Sequence, residues 1–200
     1  MGVPALREDV RESILDAADR LFQHFGYKKT TVEDIATEAG VSRGTVYLYF
    51  KSKEEVALSW LARCNNMLRA KFQAIATESG SPAARVKAIL FARVLLRFEA
   101  AQRYAQSVDD LFSALRPAVL SLRECTHEVE AEIIAGVLRE GKQQGIFAFE
   151  DALMTARLLV TATNSLLPYS LSPRQLGERE ELLSKLEGIT ALLLDGVHTR

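Results

Sequence analysis

Between Val10 and Phe25 the apolar side chains fall at Val10, Ile14, Ala17, Ala18, Leu21, Phe22 and Phe25. Spacing by threes and fours marks one face of a helix, whereas a half-buried strand would alternate. Similar spacing recurs down the chain, and none of its 200 residues form an alternating stretch, an internal repeat or a low-complexity segment. The pattern predicts an all-α fold of about nine helices.

Punctuation divides that pattern. Asp9 can cap the first helix and Gly26 can end it. Thr30-Thr31-Val32-Glu33 reads as a capping box opening a second helix, with Ile35, Ala36 and Ala39 inward. Gly40 permits a sharp turn. Ser42 can cap a short third helix reaching about Phe50, and Ser52-Lys53-Glu54-Glu55 boxes the start of a long fourth. Beyond "SGSP" at 79–82, helices are expected at roughly 82–106, 108–115, 117–143, 150–167 and 174–197. Pro82, Pro117 and Pro173 stand where first turns begin, and Gly145 and "PYSLSP" (168–173) mark connections. The expected organisation is an N-terminal domain over 8–60, with a helix-turn-helix at about 31–50, followed by a helical domain over 61–200.

The third helix can be tested by angle. At about 100° per residue, Val46 and Phe50 lie within about 40° of each other, and Leu48 points away from both. Gly44 and Thr45 share the outer side, flanked by Tyr47 and Tyr49. Burial within its own domain does not explain such a face, but a DNA groove does. Gly44 lets backbone approach closely. Ser42 and Thr45 can bond phosphates or base edges, Leu48 can touch a thymine methyl, and Arg43 can reach guanine or phosphate. The two tyrosines join flat apolar area to a hydroxyl. Lys53 sits in the first turn of the fourth helix, where the helix end itself attracts phosphate.

Composition narrows the partners. The formal net charge is −1, so any attraction to nucleic acid must be local. Residues 28–53 supply it, with five Lys/Arg against three Asp/Glu. Cys64 and Cys125 lack zinc or redox spacing and fit a reduced cytoplasmic setting. "MGVPALREDVRE" reads as no signal peptide, and no apolar run nears the ~20 residues of a membrane span. His24, His127 and His198 do not cluster, "HEVEAE" lacks the second histidine of a zinc motif, and no phosphate loop or nucleophile elbow occurs. No enzyme, metal or cofactor is therefore expected. A helical adaptor that keeps a helix-turn-helix without DNA is the alternative, against which the outward Arg43, Tyr47, Tyr49 and Lys53 weigh.

The stretch "ILDAADRLFQHFGYKKTTVEDIATEAGVSRGTVYLYFKSKEEV" resembles the TetR family of transcriptional regulators. The likeness lies in the aromatic-Gly-Tyr end of the first helix, "TTVEDIA", "AGVSRGTVYLYF" and "SKEE", and covers about residues 8–60. The resemblance implies a DNA-binding domain joined to a helical domain that dimerises and binds a small effector, with repression favoured. By position it implies phosphate contacts at Thr31, Tyr49 and Lys53, and base or backbone contacts at Ser42, Arg43, Gly44, Thr45, Tyr47 and Leu48. The implied partners are double-stranded operator DNA, a second copy of the chain and a small molecule, with no membrane.

Helix-turn-helix proteins usually bind as dimers. Leu182, Leu186, Ile189 and Leu193 form a seam-like stripe, and Leu158, Ala162 and Ser165 lie on the preceding helix. Together they are the expected dimer surface; both stripes would serve equally as faces of a single core. The expected effector pocket is Phe91, Phe98 and Phe112 with the polar Thr161 and Asn164, suiting an apolar or amphipathic molecule. Plain core packing is the alternative for these residues.

Overall fold

The computed structural model describes residues 3–168 and 172–197, with side chains from Glu8 onward. The described residues form eight α-helices: α1 (Val3–Phe25), α2 (Val32–Glu38), α3 (Arg43–Tyr49), α4 (Lys53–Thr77), α5 (Pro82–Arg103), α6 (Ala105–Gln143), α7 (Ala152–Asn164) and α8 (Arg179–Asp195). A single 3-10 turn, Pro173–Gln175, precedes α8. Tyr169–Leu171, within the expected "PYSLSP" connection, and His198 lie outside the described residues.

Several boundaries differ from expectation for local reasons. Helix α1 starts well before Asp9, since Pro4 is tolerated in a first turn. Asp9 is then interior, and its carbonyl accepts the Ser13 hydroxyl at 2.9 Å. The box opening α2 closes with Asp34 rather than Glu33: Thr31 Oγ1 accepts Asp34 N (3.1 Å) and Asp34 Oδ2 accepts Thr31 N (2.8 Å). The helices expected at 108–115 and 117–143 form one element, α6, broken at Leu115 (φ −128, ψ 25) just ahead of Pro117. Pro117 has no N–H to donate and its ring clashes with the carbonyl four residues back, which kinks the turn before it. Helix α8 begins later than Pro173 predicted, because Gly177 adopts a left-handed φ of 79 and stops the 3-10 turn from continuing.

The chain forms two compact units. The first comprises residues through Cys64 together with Arg103–Leu120. Its core takes Ile14, Leu15, Ala18 and Phe22 from α1, Ile35 from α2, Val46 and Phe50 around α3, and Val56 and Trp60 from α4. Leu111 and Val119 of α6 complete it. The Trp60 ring lies edge-on between Phe22 (5.3 Å) and Tyr104 (5.1 Å). Both polar tips find one acceptor: Asp19 Oδ1 takes Trp60 Nε1–H (2.7 Å) and Tyr104 O–H (2.8 Å). Buried Asp110 of α6 accepts Lys28 N at 2.8 Å, and Ser107 donates to Phe22 O at 2.8 Å. These bonds tie the end of α1 to the start of α6.

The second unit comprises Asn65–Gln102 and residues from Ser121 onward. Phe72, Ile89, Leu90, Ile134, Leu138, Leu159 and Val160 form its larger core, and Val94, Phe98, Leu182 and Leu186 a smaller one. No described helix is long and apolar enough to cross a membrane.

Candidate nucleic-acid interface

Helices α2 and α3 are short and capped at both ends of the turn that joins them. Gly40 holds a left-handed φ of 68, which reverses the chain after α2. Ser42 then caps α3, its Oγ accepting Thr45 N at 3.0 Å and meeting Thr45 Oγ1 at 2.9 Å. Val46 is 1 % exposed and Phe50 is buried beside it, so the inward face of α3 is the one that the helical angle gives. Leu48 is 83 % exposed. Tyr47 is exposed, and Tyr49 packs partly against the core. The Arg43 guanidinium sits 5.6 Å over the Tyr47 ring and donates to its hydroxyl at 3.4 Å, which holds both side chains on the outer surface. A Cβ on Gly44 would meet only Ser42 Oγ, at 3.6 Å, so folding does not require a glycine here.

Two expected phosphate contacts have other work in the free protein. Thr31 is exposed, but its hydroxyl donates to Asp34 Oδ2 at 2.7 Å; that bonding holds the Asp34 carboxyl below its usual range. The half-buried Lys53 ammonium donates to Tyr27 O (3.1 Å) and Thr30 O (3.0 Å) and lies 4.3 Å from the Tyr27 ring centroid. Burial, aided by Glu54, pushes the Tyr27 phenol up to about 12. Lys53 thus pins the α1–α2 loop to the start of α4 and has one N–H beyond the two that bond carbonyls.

In the second unit, two residues of the expected dimer stripe turn inward. Leu182 and Leu186 are buried against Val94 and Phe98, so neither offers a surface to a second copy. Ile189 and Leu193 are half-buried, while Leu158 is 60 % exposed, with Ala162 partly buried on the same helix and Ser165 exposed at its end. The expected pocket also divides. Phe112 packs on the first unit's core, because α6 enters that unit up to Leu120. Thr161 is exposed. Phe91 and Phe98 share the smaller core of the second unit. Asn164 is half-buried and hydrogen-bonded to an arginine described below.

Residues 14–59 match the family described as bacterial regulatory proteins, tetR family. The HTH-type transcriptional repressor KstR2 of Mycolicibacterium smegmatis is 31 % identical over 141 residues, 68 % of this chain and 67 % of that one. The chain belongs to the TetR family. It is a TetR-family transcriptional regulator, and the likeness to relatives extends beyond residues 14–59. The fatty acid metabolism regulator protein of Bacillus subtilis is 26 % identical over 94 % of this chain and 95 % of its own. A transcriptional regulator from Cytophaga hutchinsonii shares the fold, with a TM-score of 0.81 at 23 % identity over 94 % of this chain and 98 % of that one.

The second unit of this TetR-family chain holds a polar cluster that the sequence pattern did not single out. Arg93 of α5 is 1 % exposed. Its Nε donates to buried Glu130 of α6 (2.7 Å), and its two terminal nitrogens donate to Thr163 Oγ1 (2.9 Å) and Asn164 Oδ1 (3.2 Å) of α7. Arg97, one turn on, bonds the other Glu130 oxygen and donates to Arg93 O at 3.2 Å. Burial pulls Arg93 down to about 10, and the two guanidiniums hold Glu130 below the usual carboxylate range despite its burial. The available signal was Arg93 and Arg97 at i, i+4 inside the otherwise apolar stretch 88–98 of α5, facing a Thr-Asn pair in α7. Among the described residues no group of three or more His, Cys, Asp or Glu is placed to hold a metal.

Proposed function

We propose that this TetR-family regulator is a cytoplasmic repressor. It binds a pseudo-palindromic operator as a homodimer and releases it when a small apolar or amphipathic molecule enters the second unit. The observation that carries the DNA reading is the outer face of α3, where Leu48 stands clear of a core that buries Val46 beside it. In this reading Arg43, Gly44, Thr45, Tyr47 and Leu48 enter the major groove, with Ser42 at the mouth of the helix. Thr31, Tyr49 and the remaining N–H of Lys53 meet phosphates. The reading head is the domain over 8–60, and effector and dimer functions belong to 61–200. The name repressor carried by the Mycolicibacterium relative supports repression, and the name of the Bacillus relative supports an amphipathic effector.

The dimer surface we infer is the outward side of α7 and α8, which pack on each other. Leu158 (60 % exposed) and Leu192 (76 % exposed) lead it, with Met154, Ala162 and Ser165 beside them and Ile189 and Leu193 at its inner edge. Exposed large apolar side chains on adjacent helices are ordinary material for a subunit contact. The test is binding of the full chain to promoter DNA beside its own gene, with sedimentation of the free protein. Operator-selective binding by a dimer is expected. A helical adaptor would show no preference for that DNA over a scrambled duplex.

A further inference from the structure

We propose that Arg43 reads the major-groove edge of a guanine, and that Tyr47 is its positioning residue, holding the guanidinium fork on the outer side of α3. This rests on the DNA-binding reading above and names the base that this face takes.

Arg43 opens α3 and Tyr47 stands one turn on, so both side chains rise from one side of a helix that buries Val46 on the other. The Arg43 guanidinium lies 5.6 Å over the Tyr47 ring, and its Nη2 donates to the Tyr47 hydroxyl at 3.4 Å. Ring face and hydroxyl together restrict a side chain that is otherwise rich in rotamers. That bond uses one of five N–H groups, so a two-pronged edge of the fork stays free. The hydroxyls at this end of α3 are partly spent, Ser42 Oγ and Thr45 Oγ1 bonding each other at 2.9 Å. Two parallel donors match guanine, whose N7 and O6 both accept. Adenine sets a donor beside its acceptor and opposes one prong.

A phosphate is the other acceptor an arginine takes, and the surroundings of Arg43 disfavour it. The first turn of α2 carries Glu33 and Asp34. The Tyr47 hydroxyl first, and the Glu33 carboxylate more weakly, hold Arg43 above its usual value, so Glu33 acts on this guanidinium. A carboxylate in electrostatic reach repels a phosphate and spares a neutral base edge. Position favours the base too, because the N-terminal residues of the second helix of a helix-turn-helix meet base edges. Gly44, next in the chain, leaves the space beside the fork open. A Cβ there would meet only Ser42 Oγ, at 3.6 Å, so the fold itself does not call for that opening.

The test begins by selecting duplexes from a random library with the full chain. Guanines of the selected half-site are then replaced singly by 7-deazaguanine, which lacks the N7 acceptor and keeps its base pairing. One replacement is expected to weaken wild-type binding about fivefold or more per half-site. Arg43→Gln is expected to bind the guanine and 7-deazaguanine duplexes equally, with the slope of log K against log salt unchanged, since no phosphate contact is lost. Tyr47→Ala should cut the ratio of the two affinities about twofold or more, and Tyr47→Phe, which keeps the ring, should recover part of it. In an Arg43→Gln background Tyr47→Ala should leave that ratio alone. A phosphate contact by Tyr47 would instead weaken both duplexes alike and leave the ratio intact. The proposal is overturned if selective binding depends on no guanine N7, or if Arg43→Gln keeps the ratio. It is also overturned if Arg43→Gln weakens all duplexes alike with a shallower salt slope, or if Tyr47→Ala keeps the full ratio. Each of these leaves the regulator reading standing, because the chain still selects a sequence. A chain that selects no sequence overturns both.

Discussion

The Lys53 ammonium lies 4.3 Å from the Tyr27 ring centroid while donating to the Tyr27 and Thr30 carbonyls. One side chain thereby fastens the loop before α2 and, in the function proposed above, also meets a phosphate. Lys53→Met keeps the apolar stem and should cost about 1–3 kcal/mol of stability in a denaturant melt. It should also make the slope of log K against log salt shallower by about 0.9 per subunit. A melt that weakens with an unchanged slope would leave Lys53 as a fastening alone.

Leu48 and Phe50 should separate recognition from folding. Leu48→Ala should change stability by less than about 0.5 kcal/mol, as an exposed residue does, and should reduce operator affinity while sparing non-specific affinity. Phe50→Ala should cost about 3–5 kcal/mol and lose both affinities through unfolding. Paired melts and binding curves decide it; the reverse result would mean that α3 is rotated by half a turn.

Gly44 offers a variant in which the two effects have opposite sign. Its added Cβ meets only Ser42 Oγ at 3.6 Å, so Gly44→Ala should stabilise the fold by up to about 1 kcal/mol. Operator affinity should nonetheless fall, because a methyl group then stands between helix and duplex. Unchanged affinity in a binding titration would remove Gly44 from the contact face.

Leu158→Glu combined with Leu192→Glu should shift sedimentation from dimer to monomer with little change in the melt of either unit, both side chains being exposed. Leu186→Glu should instead unfold the second unit, since it places a charge in the core beside Phe98. A dimer that survives the double variant would move the subunit contact elsewhere.

Acid should act through His127. Its pKa falls from 6.5 to about 4 on folding, so between those values the unfolded chain holds more protons than the folded one. The His127 contribution is complete above about 6.5 and is lost as pH drops toward 4. His127→Gln should flatten stability against pH in that window, measured by denaturant melts from pH 7 downward.

The face of α3 was legible because α3 is short and capped by its own neighbours. Ser42 and Gly40 fix where it starts, and a helix of known start has a computable inner side at Val46 and Phe50. The α8 stripe was not legible in this way. Leu182 and Leu186 repeat like a seam, yet that spacing is the same whether the facing surface is a second copy or, as found, Val94 and Phe98 of the same unit. Arg93 was missed because its partner Glu130 stands 37 positions away on another helix, and a single sequence does not pair distant charges. Phe112 was misplaced because the first unit is discontinuous in sequence.

That discontinuity limits how the molecule can be taken apart. Leu111 and Val119 seal the core around Phe22 and Trp60, and Asp110 and Ser107 bond the end of α1. A fragment ending at Cys64 would lose all four, leaving apolar surface bare and the Lys28 amide without its carboxylate. The reading head therefore cannot be transplanted as a single N-terminal cassette. A working chimera would need residues 103–120 from the same parent, and recombination that respects the fold would have to exchange two segments of the gene at once.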